Sequence, residues 1–135
     1  MVDLVKTFEK DADAEDNGRW FTIVEGLEFL IARARNPKHR TALERLMRPY
    51  RAQIEAGTFP TTEVDRITDE AAAEAVWLGF RGDLQVDGED VADTKESRLK
   101  MLRDPRLKDM REAVFAISQS EDSYRKEEVD DAIKN

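Results

Sequence analysis

Between Gly18 and Gly57 the chain alternates, turns, alternates again and then changes period. From Gly18 onward, Trp20, Thr22 and Val24 fall on one face while Phe21 and Ile23 fall on the other. After Glu25-Gly26, Leu27, Phe29 and Ile31 alternate with Glu28, Leu30 and Ala32. A period of two on both sides of a glycine-containing turn specifies a β-hairpin. An isolated hairpin is marginal in water, so this one must pack on helices or extend a partner's sheet.

Asn36-Pro37 ends the hairpin unit. Proline pushes the preceding residue out of helical geometry and suits a first helical position, which makes Asn36 the cap of a helix starting at Pro37. At about 100° per residue, Leu43, Leu46, Met47, Tyr50 and Ile54 form one stripe, read as core, with Lys38, Arg45, Arg48 and Arg51 opposite. Pro49 should kink this helix or divide it near Arg45, and Gly57 is placed to end it.

Pro60 opens the next predicted helix, whose inward line is Val64, Ile67, Ala71, Ala75 and Leu78, with Trp77 and Phe80 at its buried end. Residues 81–93 read as an acidic loop or a small second hairpin around Asp87-Gly88. Leu99, Met101 and Leu102 belong to a short helix stopping at Asp104-Pro105, and Leu107, Met110, Val114 and Ile117 to the next. Ser118 and Glu121 suggest a capping box for a last helix containing Tyr124, Val129 and Ile133. The expected architecture is α+β and predominantly α-helical, with an N-terminal hairpin and about four to five helices in one domain. Its parts are a flexible acidic arm over 1–17, the hairpin over 18–35, helices over 37–80, the acidic segment over 81–93 and helices over 94–133.

At 135 residues, with 40% hydrophobic and 39% charged side chains in periodic patterns, the chain can build one core. Cysteine is absent, which excludes disulfides, thiolate metal sites and cysteine nucleophiles. Neither a signal-peptide pattern nor a run approaching the roughly 20 apolar residues of a membrane span is present, so an intracellular location is expected.

Little in the sequence marks an active site. Asp83-x-Gln85-x-Asp87-Gly88 and Asp13-x-Glu15-x-Asn17-Gly18 open like calcium loops, but their twelfth positions are Thr94 and Val24 instead of glutamate. His39 is the single histidine and reads as an ordinary first-turn residue. There is no P-loop, dinucleotide fingerprint or nucleophile elbow. The expectation is no enzyme activity, no metal and no cofactor.

Charge is more informative. Arg33, Arg35, Lys38, Arg40, Arg45, Arg48 and Arg51 face Glu44 alone within 33–51, whereas 63–93 is strongly acidic, and the whole chain carries a net charge of -8. The two regions are either solvated faces of one molecule or complementary faces of neighbouring copies. Nucleic acid is a poor fit for the basic island, because Tyr50 lies in the apolar stripe and Glu44 and Glu55 are spaced to pair with Arg48 and Arg51.

The order of these features resembles the tail assembly chaperones of long-tailed bacteriophages. The likeness rests on Gly18-Arg19-Trp20, Phe29-Leu30-Ile31-Ala32-Arg33 followed by Asn36-Pro37, and Leu43 to Tyr50. It continues through Gly57-Thr58-Phe59-Pro60, Val76-Trp77-Leu78-Gly79-Phe80, Leu102-Arg103-Asp104-Pro105 and Tyr124-Arg125. These are packing and turn positions covering most of 18–135. The resemblance implies a non-enzymatic protein of the host cytoplasm that coats the tape measure protein, helps recruit tail tube subunits and leaves the finished virion. It also implies a longer frameshifted form that engages the tail tube protein, while a homo-oligomer is an expectation from the charge asymmetry alone; the terminal Lys134-Asn135 is a dipeptide that an A-rich slippery site could encode. On this reading Arg33, Arg35, Lys38, Arg45, Arg48 and Arg51 serve client binding or self-assembly. The competing reading is a small acidic regulator or inhibitor that presents residues 63–93 to a basic partner.

Overall fold

The computed structural model describes the backbone of residues 1–134 and the side chains of residues 1–130. The hairpin forms as its alternation requires: β1 (Arg19–Val24) pairs antiparallel with β2 (Leu27–Ile31), opposing Trp20 to Leu30 and Phe21 to Phe29. Gly26 sits in the turn at φ 86°, a conformation that costs glycine little. Ile23 is left over between the paired Thr22 and Val24, which makes a bulge near the hairpin tip.

A third strand corrects the expected helix over 60–80. The helix ends at Ala75, and β3 (Trp77–Gly82) runs antiparallel to β2, opposing Phe80 to Phe29 and Gly79 to Leu30. The sheet order is β1-β2-β3, so β2 is central. Helix-favouring alanines run directly into this strand without a turn residue between them. The aromatic residues at 77 and 80 gain more by joining the sheet's apolar face than by continuing the helix.

The helices follow their punctuation. Helix α1 (Leu4–Phe8) and helix α2 (Ala12–Asn17) precede the sheet, and α3 (Pro37–Met47) begins after the Asn36 cap. At Pro49 the chain tightens into a 3-10 turn (Arg48–Tyr50) and resumes as the five-residue α4 (Arg51–Glu55). Gly57, at φ 72°, stops α4, with the Thr58 N–H bonded to the Gln53 carbonyl at 2.9 Å. Helix α5 (Thr61–Ala75), α6 (Lys95–Arg103), α7 (Lys108–Gln119) and α8 (Lys126–Lys134) complete the chain, with β4 (Gln85–Val86) and β5 (Glu89–Asp90) between β3 and α6. The small second hairpin is the form that residues 81–93 take, turning at Asp87 (φ 53°) and Gly88 (φ 78°).

The core lies between one face of the sheet and α5, α6 and α7. Phe29, Ile31, Trp77 and Phe80 pack there against Ala72, Ala73, Val76, Met101, Leu102 and Val114. Trp77 is fully buried and its indole N–H donates to the Gly79 carbonyl at 3.0 Å. Burying such side chains contributes about 1.5–3 kcal/mol each. The opposite sheet face carries the Thr22, Glu28 and Arg81 row, with the Arg81 guanidinium 4.2 Å from the Trp20 ring centre and paired to Glu28.

A second, smaller cluster joins the chain ends. The acidic segment expected as an arm is helical, and Ala14 of α2 is buried with Tyr124 and Val129, against which Phe21 packs. The Tyr124 hydroxyl donates to the Ile31 carbonyl at 2.8 Å, the Asp11 N–H to the Tyr124 carbonyl at 2.9 Å, and the Lys126 N–H to the Glu9 carbonyl at 2.8 Å. The expected capping box does not form. Ser118 lies inside α7 with its hydroxyl on the Phe115 carbonyl, and Tyr124 occupies a 3-10 turn (Asp122–Tyr124) ahead of α8. The Ile133 side chain and Asn135 lie outside the described residues.

Candidate functional site

The six basic residues singled out by the sequence do not form one surface. Arg33 pairs with Glu15 of α2, and Lys38 donates to the Asn17 side chain at 3.2 Å, so both hold the N-terminal segment. Arg35 sits at φ 66° and its N–H donates to His39 Nδ1 at 2.8 Å. Arg45 places one nitrogen 2.6 and 2.9 Å from the two Glu74 oxygens, which ties α3 to α5. Burial alone would raise the Glu74 pKa, but the Arg45 hydrogen bonds and the charges of Lys95 and Arg45 outweigh it, so its carboxyl titrates below the ordinary range.

Arg48 and Arg51 remain. Arg48 touches Glu44 at 4.0 Å, with both side chains largely exposed, and Arg51 makes no ion pair among the described residues. With Glu44, Met47, Ile54 and Glu55 they line a cleft of about 310 Å³ along α3 and α4. Met47 and Ile54 are each 37% exposed. This corrects the reading of the full stripe as core, since Leu43, Leu46 and Tyr50 are half-buried whereas Met47 and Ile54 face outward.

The local cause is the division at Pro49. Its missing N–H and its ring prevent a straight continuation of α3, and Gly57 closes the following segment after little more than one turn. So short a piece cannot pack along α5. Tyr50 is held at the junction, packing at a tilt against Phe59 with ring centres 5.1 Å apart and accepting a hydrogen bond from the Arg66 guanidinium at 3.0 Å. The result is an apolar pair flanked by two cations on an exposed edge. The signal available in the sequence was the short Pro49 to Gly57 interval, within which four residues are charged or amide-bearing (Arg51, Gln53, Glu55) or apolar with nowhere to pack (Ile54).

Most of the acidic belt is engaged internally, while Asp65, Asp83, Glu89 and Asp90 make no ion pair among the described residues. Glu63 and Glu70 pair with Arg66, Asp69 with Arg111, Glu74 with Arg45 and Lys95, Asp87 with Arg106, and Asp93 with Arg98. The Arg66 hydrogen bond lowers the Glu63 pKa, and Arg106 does the same for Asp87 and Asp104. A larger cleft of about 610 Å³ lies between α5 and the α6–α7 junction. Its Arg66, Asp69 and Arg111 are committed to these pairs, and Arg103 donates to the Arg66 carbonyl at 3.3 Å.

His39 is buried, and its Nδ1 is occupied by the Arg35 N–H. Burial and the Arg35 charge hold its pKa below the ordinary value. The two calcium-like stretches adopt other structures: Asp13 to Asn17 lies in α2, where Asp13 accepts from Asn17, and Asp87 at the β4–β5 turn is bound by Arg106. Among the described residues no group of three or more His, Cys, Asp and Glu side chains could hold a metal ion.

A family model described as YdaY prophage protein matches residues 34–135, from the approach to α3 through the C-terminus. No curated protein matches, and no solved structure matches.

Proposed function

The chain belongs to the YdaY prophage protein family, and from that premise we propose that it acts by binding another protein, as a chaperone of phage tail assembly. The client in this reading is the long, helical tape measure protein, which the chaperone keeps soluble while tail tube subunits are recruited. A longer frameshifted product would carry the tail tube contact.

One observation carries the proposal: Met47 and Ile54 stand partly exposed in one cleft with Arg48 and Arg51 on the α3–α4 edge. An amphipathic client helix offers apolar side chains at i, i+3, i+4 and i+7 to such a pair, with acidic flanks for the two arginines. The site is small, so a single contact is weak and releasable, and many copies along one long client give strong coating. That combination suits a factor which must leave the assembled particle. The acidic belt supports the same choice of face, because six of its ten carboxylates already have cationic partners in the fold. Neither the resemblance nor the site calls for chemistry, and the role is non-enzymatic, in the host cytoplasm, without cofactor, nucleic acid or membrane.

The test is co-expression with the tape measure protein of the same prophage. The reading expects the client to move from the insoluble to the soluble fraction and to co-purify with the chaperone. A client that stays insoluble with and without the chain contradicts it.

A further inference from the structure

The chain passes from β2 into α3 through a strained turn. The Arg33 carbonyl accepts the Asn36 N–H at 3.2 Å, which closes a four-residue turn over Ala34 and Arg35. Arg35 has φ 66° while Ala34 keeps a negative φ, so the turn is type II. Its third position favours glycine or asparagine, because a larger side chain crowds the backbone in the left-handed region. Here it holds arginine.

One bond holds the peptide between Ala34 and Arg35 in this orientation. The Arg35 N–H donates to His39 Nδ1 at 2.8 Å, and among the described residues the Ala34 carbonyl accepts no hydrogen bond. A ring nitrogen that accepts carries no proton, so His39 is held as the neutral tautomer protonated at Nε2. Gaining a second proton places a hydrogen on Nδ1 and sets a donor against a donor. The turn has an alternative. Rotating that one peptide converts type II into type I, brings φ of Arg35 to about −90° and presents the Ala34 carbonyl where the N–H stood.

We propose that His39 and the peptide between Ala34 and Arg35 form a two-state acid switch, in which the N–H donates to neutral Nδ1 in one state and protonated Nδ1 donates to the Ala34 carbonyl in the other. The flip relieves the left-handed φ of Arg35. It also spares the flanking bonds, because the Ala34 N–H on the Ser118 carbonyl (2.9 Å) and the Asn36 N–H belong to neighbouring peptides. The Asn36 side chain keeps its place at the start of α3, accepting the His39 N–H at 3.0 Å and donating to the Ala75 carbonyl at 2.9 Å. The group turned away from His39 changes from an acceptor to a donor.

The charges around the turn are Arg33 and Arg35 within it, Arg40 on α3, and Glu15 and Asp16 of α2 across a cleft of about 400 Å³. Glu15 is bound by Arg33, and Glu74 of α5 by Arg45 and Lys95. Burial, and then the Arg35 charge, hold the ring's pKa below the ordinary 6.5. The unflipped state is therefore complete above 6.5, and the flipped one grows as pH falls through the folded value. The switch uses neither Met47 nor Ile54 and stands whether or not the α3–α4 edge binds a client.

The test is nuclear magnetic resonance of the isotope-labelled chain from pH 7.5 to 4.5. At pH 7.5 the His39 ring should show a bare Nδ1 coupled through the hydrogen bond to the Arg35 amide, whose proton should lie close to the Ala34 Hα, as type II requires. Through the His39 titration that contact should give way, with the same midpoint, to one between the Ala34 and Arg35 amide protons. His39→Asn, whose side-chain oxygen accepts the same N–H without titrating, should keep the first contact throughout; the wild-type titration decides the matter if this variant unfolds. A proton on Nδ1 at pH 7.5, a turn that stays type II after His39 titrates, a flip that persists in His39→Asn, or global unfolding before His39 is protonated each overturns the proposal.

Discussion

The Arg98 guanidinium lies 2.6 Å from one Asp93 oxygen while the other oxygen accepts the Phe80 N–H at 3.2 Å, so one carboxylate links α6 to the edge of the sheet. Arg98 is buried and also donates to the Ala73 carbonyl at 3.2 Å. The pair fastens α5, α6 and β3 at a single point, and it requires Gly79 to be small, because a Cβ there would lie 2.8 Å from the Asp93 carboxylate.

Asp93→Ala leaves the buried Arg98 charge without its partner and the Phe80 N–H without an acceptor. The expected loss is about 2–4 kcal/mol, toward the lower part of the range for buried pairs because Asp93 is partly exposed. Urea denaturation with an unchanged m-value checks it; a loss below about 0.5 kcal/mol would show that the link carries little.

Tyr124→Phe removes the hydroxyl that satisfies the buried Ile31 carbonyl, at an expected cost of about 1–3 kcal/mol. The same change should speed hydrogen exchange at the Asp11 and Lys126 amides, which bond across the two chain ends, before it affects the Trp77 core.

Charge reversal should separate structural from binding arginines. Arg45→Glu faces Glu74 with a like charge and should cost about 1 kcal/mol, since the pair it replaces is half-exposed. Arg48→Glu and Arg51→Glu should each stay within about 0.5 kcal/mol of the wild type, being exposed and weakly paired. Thermal unfolding of the three variants checks the ordering.

Acid should destabilise the protein in two stages. The folded-state pKa of His39 lies below the ordinary 6.5, so the unfolded chain binds the proton first. The stability from neutral His39 is complete above 6.5 and declines as pH falls toward the folded value. Glu28, Glu63, Glu74, Asp87 and Asp104 are likewise depressed, and their contribution declines only below the ordinary carboxylate values. Stability measured from pH 7.5 to 3 should therefore show an early decline that His39→Gln lacks and a later one that it keeps.

Particular residues show what the sequence made legible. The hairpin was readable because its two-residue period and its turn agree, and α3 because Asn36-Pro37 both stops a strand and starts a helix. The third strand was not, because Ala71 to Ala75 favour a helix and nothing but long-range pairing with β2 tells Trp77 to leave it. Periodicity placed Met47 and Ile54 on a stripe, but a stripe does not say which of its members meet another element. The break at Pro49 decided that. Nor could charge counting divide the basic island, since the partners of Arg33 and Arg45 are distant in sequence.

Client binding at the α3–α4 edge is tested most directly by a fluorescence titration of helical tape measure segments with the wild type and with a Met47→Ser, Arg48→Glu, Arg51→Glu, Ile54→Ser variant whose fold is verified by circular dichroism. Binding should weaken with salt in the wild type and fall at least tenfold in the variant. Equal binding by the two proteins would contradict it.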